Sequence, residues 1–101
     1  MADLLNWQVE AKTLYLRGEL DRETLLRLWQ QRATAMQDIE RIDVSGLQRV
    51  DSAGLALLVH LRQIAQQQGV TPVFSGITDK LHSLITLYNL QQIIVSVENP
   101  G

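Results

Sequence analysis

The sequence contains no cysteine, which excludes disulfide bonds and metal sites built on thiolates. It has only two prolines and 20% charged residues, whereas 46% of the residues are hydrophobic; this balance is typical of a folded domain rather than a disordered chain. With 101 residues, the chain is expected to form a single domain that spans residues 1–101.

Clusters of basic residues and long apolar runs are also missing. The formal net charge is −2, and no dense group of lysines and arginines supplies the positive surface that nucleic-acid binding requires. No apolar run approaches the roughly 20 residues that span a bilayer, and the N-terminal residues lack the pattern of a signal peptide. We therefore expect a cytoplasmic protein that acts through protein partners, binds no nucleic acid and does not insert into a membrane.

Hydrophobic periodicity predicts strands that alternate with helices. Short runs bounded by turn residues indicate strands, and apolar residues at three- and four-residue spacing indicate amphipathic helices. Asp21 and Thr78 are predicted N-caps, and Gly69 and Asn89 are predicted helix ends. The predicted strands are 7–10, 13–17, 42–44, 72–75 and 93–95, and the predicted helices are 22–37, 52–68 and a third that follows Thr78. The resulting order, β-β-α-β-α-β-α-β, predicts an α/β fold with helical crossovers between parallel strands.

Residue types that catalysis needs are present without the arrangement that catalysis requires. His60 and His82 are the two histidines, and each lies inside a predicted helix without metal-ligand spacing. The glycines are widely spaced and no phosphate-binding loop is formed. Asp43 and Asp51 are interpreted as residues that satisfy local backbone amides rather than as an acid–base pair. We therefore expect no enzyme activity, no catalytic residue, no cofactor and no metal.

The segment from Asp51 to Leu55, Asp-Ser-Ala-Gly-Leu, joins a predicted strand to a long apolar helix. The Ser52 hydroxyl at the start of this helix can accept a hydrogen bond from the unpaired amides of the first turn. The same position favours a phosphate, because the amides and the positive end of the helix point toward it. Geometry alone favours a cap, and a regulated contact point is the alternative.

The long helix is predicted to present one apolar face to the sheet and a second, smaller apolar group to the outside. At about 100° per residue, one face collects Gly54, Leu57, Leu58, Leu61, Ile64 and Ala65. Leu55 and Val59 then fall near Ser52 on the other side. Two exposed aliphatic residues beside a helix-capping serine form a docking surface, whereas isolated apolar residues on a surface are also common. The predicted partner-binding residues are Ser52, Leu55, Ala56, Val59 and Gln63.

A strand followed by Asp51-Ser52-Ala53-Gly54-Leu55 at a helix start, within this order of elements, resembles the STAS domain family. That fold is shared by anti-sigma-factor antagonists and the cytoplasmic domains of sulfate transporters, and the resemblance covers nearly the whole chain. Within the family, residues 18–21, 50–61 and 87–90 are most similar to the small STAS subunits of Mla-type phospholipid-transport ABC complexes. The resemblance implies a single STAS domain with a small mixed sheet covered by three to four helices, in which Asp51 and Gly54 support the motif.

For function, the resemblance implies a non-catalytic subunit that lies in the cytoplasm, peripheral to the inner membrane. It implies binding to the ATPase subunit of an ABC transporter, in a complex with a permease and a periplasmic lipid-binding subunit. This complex would support phospholipid transport between the inner and outer membranes and so maintain outer-membrane lipid asymmetry. The alternative is a phosphorylation-switched antagonist of an anti-sigma factor, in which Ser52 is the position of the phosphorylated serine.

Overall fold

A hairpin forms one edge of the sheet. In the computed structural model, which describes residues 4–94, β1 (Leu5–Glu10) and β2 (Thr13–Leu20) pair in antiparallel orientation. Ala11 and Lys12 form the turn with φ of 51° and 63°, the left-handed conformation that matches the twist of two paired strands. The predicted hairpin is confirmed, but Gly18 does not end its second strand. Gly18 instead has φ of 95° at an irregularity inside β2.

Two parallel strands extend the sheet beyond the hairpin. β3 (Arg41–Val50) pairs with β2 and β4 (Val73–Ser75) pairs with β3, which gives the strand order β1-β2-β3-β4. β3 is much longer than the predicted strand 42–44. Its second half contains Gly46, Gln48 and Arg49 and lacks an apolar pattern, and it is a strand because β2 offers hydrogen-bonding partners as far as Val50.

The helices of residues 4–94 follow the same order as the prediction, although the first predicted helix is divided in two. The sequence predicts one helix over residues 22–37, whereas the structure has a turn followed by α1 (Leu26–Gln30) and α2 (Arg32–Ala35). Gln31, with φ of −106° and ψ of 15°, separates the two. Asp21 still caps the preceding turn, because its Oδ1 accepts hydrogen bonds from the Glu23 and Thr24 amides at 2.9 and 3.1 Å.

The remaining helices are α3 (Ser52–Gln67) and α4 (Asp79–Leu87), and their predicted ends are confirmed. Gly69 has φ of 86° just beyond α3, and Asn89 has φ of 62° just beyond α4. The Thr78 hydroxyl accepts a hydrogen bond from the Leu81 amide at 3.2 Å, as expected of an N-cap. The described residues contain no helix that is both long enough and apolar enough to cross a bilayer.

Alternation along the strands places apolar side chains on one face of the sheet, where α3 packs. Leu14, Ile42 and Phe74 are cross-strand neighbours on this face and are fully buried. The predicted inner face of α3 is confirmed, with Ile64 half-buried at its margin. Its buried members are Gly54, Leu57, Leu58, Leu61 and Ala65. This packing fixes the orientation of α3 and therefore of the outer face that carries Ser52.

The α/β fold and the order of its elements are confirmed through α4, but the last predicted strand is not. Ile93 and Ile94 belong to a turn in which both amides donate to the carbonyl of Leu90, at 3.0 and 2.9 Å. Ile94 is buried, so its apolar character serves the core without a strand. Val95, the third residue of that predicted strand, lies outside the described residues.

Candidate functional site

The start of α3 is capped by Asp51 rather than by Ser52. The Asp51 backbone is extended (φ −102°, ψ −175°), and its Oδ1 accepts a hydrogen bond from the Gly54 amide at 2.8 Å. An N-cap residue lies just outside the helix and reaches the third helical amide, and Asp51 meets both conditions. Ser52 is the first helical residue, so the prediction that Ser52 caps the helix is wrong.

The second oxygen of Asp51 connects α3 to a distant segment of the chain. Asp51 Oδ2 accepts a hydrogen bond from the Arg22 amide at 3.1 Å, and Arg22 lies in the turn between β2 and α1. Burial raises the pKa of Asp51, but the amides of Gly54, Arg22 and Ala53 together with the Arg22 charge outweigh it, so the pKa lies below its ordinary value of 3.8. The carboxylate is therefore ionised at neutral pH and holds two elements together.

Asp51→Ala is expected to lower the free energy of unfolding by about 1 kcal/mol at neutral pH, the usual value of a helix cap. Since the folded pKa lies below the unfolded value of 3.8, this stabilisation is complete above about pH 4 and is lost as the pH falls through the folded pKa. Urea unfolding of both proteins at pH 7 and near pH 2 measures the difference. If the difference in free energy of unfolding between the two proteins is the same at both pH values, the charge of the carboxylate does not contribute to stability.

Gly54 allows the start of α3 to lie directly against the end of β2. A Cβ placed on Gly54 would lie 2.1 Å from the carbonyl oxygen of Leu20 and 3.0 Å from its Cγ. The same carbonyl accepts a hydrogen bond from the Asp51 amide at 3.3 Å. Close backbone approach therefore explains why glycine follows the serine by two residues.

The outward side of α3 agrees with the predicted surface at Ser52, Ala56 and Gln63, agrees in part at Val59 and differs at Leu55. Ser52, Ala56 and Gln63 are exposed and Val59 is half-buried, whereas Leu55 is only 2% exposed and belongs to the core. The prediction that Leu55 faces outward is therefore wrong. A helical wheel gives the angle of a side chain but not how far neighbouring elements extend around the helix, and here the core reaches Leu55. We define the outer face of α3 as Ser52, Ala56, Val59 and Gln63.

The Ser52 hydroxyl is exposed to solvent at the first position of α3. The Ser52 side chain is exposed, and within residues 4–94 it makes no hydrogen bond. Asp51 performs the capping, so the serine hydroxyl is not required for the helix to begin. Its oxygen is therefore available to a partner molecule.

An aromatic cluster joins α1 and α2 to the side of α3. The Trp29 ring meets the His60 ring edge-on, with centroids 5.4 Å apart, and the Arg32 guanidinium lies 3.9 Å from the Trp29 centroid. Arg32 also donates to the Trp29 carbonyl at 2.7 Å. His60, which the sequence assigns no role, therefore contacts an aromatic ring that lies on α1.

Asp43 and Asp51 belong to separate hydrogen-bond networks. Asp43 accepts from the Ser45 hydroxyl at 2.6 Å and the Ser75 hydroxyl at 3.1 Å, which joins β3 to β4. Asp51 bonds to the amides of Gly54 and Arg22 instead. Among the described residues, no three His, Asp or Glu side chains are grouped in a way that could hold a metal ion.

Arg22 is the residue of this region that sequence reasoning missed. It lies 29 positions before Asp51, and no local pattern indicates that the two meet. Only the parallel pairing of β2 with β3, which aligns Leu20 with Val50, places the turn after β2 beside the start of α3.

Comparison with known proteins identifies similar chains. The family described as Mlab, STAS domain matches residues 4–96. The intermembrane phospholipid transport system binding protein MlaB of Escherichia coli is 46% identical over 90 residues, which cover 89% of this chain and 93% of that protein. The protein of the same name from Haemophilus influenzae is 34% identical over 103 residues, covering 92% and 98% of the two chains.

Solved structures with the same fold are more distant in sequence. The phosphorylated form of the Bacillus cell fate determinant SpoIIAA has a TM-score of 0.64 at 16% identity, covering 94% of this chain and 92% of that chain. A putative anti-sigma factor antagonist from Thermotoga maritima has a TM-score of 0.69 at 16% identity, covering 89% and 82%.

Proposed function

The chain belongs to the Mlab, STAS domain family, and we propose that it is a non-catalytic subunit of a phospholipid-transport ABC complex of the Mla type. In this role it binds the ATPase subunit on the cytoplasmic side of the inner membrane. The permease and a periplasmic lipid-binding subunit belong to the same complex, which maintains the lipid asymmetry of the outer membrane. ATP and lipid are handled by the other subunits.

The observation that carries this proposal is the 46% identity to the Escherichia coli protein over 93% of its length. That relative is named as a binding protein of an intermembrane phospholipid transport system, and the similarity extends over nearly all of it. A surface suited to binding another protein is present on α3, where small and uncharged side chains allow close approach. The similarity to SpoIIAA, at 16% identity, supports the fold alone and not an antagonist role.

The outer face of α3 is the part of the molecule that we assign to the ATPase. Ser52 provides a hydroxyl, Gln63 provides an amide, and Ala56 and Val59 provide apolar contact between them. These residues lie on one side of a helix that is fixed to the core by its other side. Such a rigid, uncharged stripe suits a protein contact and offers no charge for a polyanion.

A co-expressed ATPase subunit is expected to co-purify with the tagged chain, and Ser52 variants test the site. Ser52→Ala and Ser52→Asp are each expected to keep the free energy of unfolding within about 0.5 kcal/mol of wild type, because Asp51 and not Ser52 caps the helix. Ser52→Asp is expected to abolish co-purification, because the contact would bury an unpaired charge.

An outer-membrane permeability assay in cells that lack the gene provides the second measurement. Ser52→Thr keeps the hydroxyl and is the matched control, which we expect to restore the permeability barrier, whereas Ser52→Asp is expected to fail. Full complementation by Ser52→Asp would place the ATPase contact elsewhere on the chain. Failure of the wild-type chain to capture the ATPase would refute the proposed function itself.

A further inference from the structure

The turn between β2 and α1 carries an arginine beside the outer face of α3. Arg22 is exposed, and its amide is fixed to Asp51 Oδ2 at 3.1 Å, one residue before Ser52. Its guanidinium makes no salt bridge within the described part of the chain. The Arg22 charge contributes to the lowered pKa of the nearby Asp51 carboxylate. The oxygens of that carboxylate, however, already accept hydrogen bonds from the Gly54 and Arg22 amides.

We propose that Arg22 is part of the ATPase-binding surface and pairs there with a carboxylate of the ATPase subunit. This inference rests on the proposed function, because it concerns the same partner. The surface then has two parts, the uncharged outer face of α3 and the guanidinium of the neighbouring turn. Asp51 is the positioning residue, because one of its oxygens caps α3 and the other holds the backbone of Arg22.

The charges around Arg22 determine what kind of partner it fits. Asp21 and Glu23 are its neighbours in the sequence, and Asp51 accepts the hydrogen bond from its amide. A nucleic acid or an anionic membrane surface requires a continuous positive patch, which one arginine between acidic residues does not provide. A single guanidinium among carboxylates instead fits one acidic side chain on a protein, which can accept its paired N–H donors.

The affinity of the purified chain for the purified ATPase subunit, measured at low and moderate salt, tests the proposal. Arg22→Glu is expected to weaken binding by about tenfold or more, because it places two carboxylates opposite each other. Arg22→Gln is expected to weaken binding less and to flatten its salt dependence, whereas Arg22→Lys retains most of the affinity. The matched control is Arg41→Glu at the other end of β3, where another exposed arginine is expected to be dispensable for binding.

Asp51→Asn tests the positioning role without removing the cap. The asparagine Oδ1 can still accept from the Gly54 amide, but its amide nitrogen cannot accept from the Arg22 amide. We expect Asp51→Asn to lower the melting temperature by less than Asp51→Ala does, because the hydrogen bond to Gly54 remains, and to weaken ATPase binding. We also expect the double variant Asp51→Asn/Arg22→Gln to bind no more weakly than Arg22→Gln alone, because both changes disturb the same contact.

Several outcomes would overturn the proposal. If the wild-type chain binds the ATPase and Arg22→Glu and Arg22→Gln bind equally well, Arg22 lies outside the interface while the proposed function stands. An equal loss for Arg41→Glu and Arg22→Glu would show a general charge effect rather than one contact. Wild-type binding to phosphatidylglycerol vesicles that Arg22→Gln abolishes would assign the arginine to the membrane instead.

Discussion

Gly54→Ala is expected to destabilise the protein by about 3 kcal/mol, although alanine is the better helix former. A new Cβ would lie 2.1 Å from the carbonyl oxygen of Leu20, which is backbone and cannot move aside without shifting the end of β2. In a domain of this size such a loss corresponds to a fall in melting temperature of about 15 °C. Thermal unfolding of the purified variant measures it.

ATPase capture is expected to fall together with stability in Gly54→Ala, because relief of the clash moves the start of α3 away from β2. Gly69→Ala is the matched control. It also places a methyl group on a glycine, but nothing lies within 4 Å, so only the strain of φ at 86° remains. That strain costs about 1 kcal/mol. A Gly54→Ala protein as stable as wild type would mean that α3 does not depend on this close contact.

Leu55→Glu and Ala56→Glu are expected to give opposite results, although the residues are adjacent on α3. Leu55 is 2% exposed, so Leu55→Glu places a carboxylate in the core and removes apolar contacts. We expect this change to lower the free energy of unfolding by about 3–5 kcal/mol. Ala56 is exposed, and Ala56→Glu is expected to change stability by no more than about 0.5 kcal/mol. Chemical unfolding of both variants separates the two effects.

Ala56→Glu is expected to abolish ATPase capture while the protein stays folded, because its charge lies in the centre of the outer face of α3. Ser83→Glu is the matched control, since it adds the same charge to an exposed position on α4. A folded Ala56→Glu protein that captures the ATPase as wild type does would assign the interface to another surface. Equal losses in Ala56→Glu and Ser83→Glu would point to repulsion by net charge.

Much of the fold follows from local signals. The hairpin is predicted by two alternating runs around Ala11-Lys12, and the ends of α3 and α4 are predicted by Gly69 and Asn89. These signals are sufficient because the conformational preferences of a turn or a helix end belong to a few neighbouring residues. Because these signals are local, they also account for the two predictions of secondary structure that are wrong. The apolar run at Ile93-Ile94 is equally compatible with a strand and with a buried turn, and the break at Gln31 has no glycine or proline to mark it.

The candidate site also combines features that the sequence predicts with features that only the fold creates. The sequence by itself determined that Asp51, Ser52 and Gly54 stand at the start of a long helix, and its periodicity determined which face of that helix meets the sheet. The choice between Asp51 and the adjacent Ser52 as the cap depends on a one-residue difference in where the helix begins, because both residue types cap helices well. Only the tertiary structure decided that Leu55 is buried and that Arg22 lies beside the serine. The physical reason is distance along the chain. Periodicity and capping preferences act over a few residues, whereas the burial of Leu55 and the bond from Arg22 to Asp51 exist only after β2 and β3 have paired.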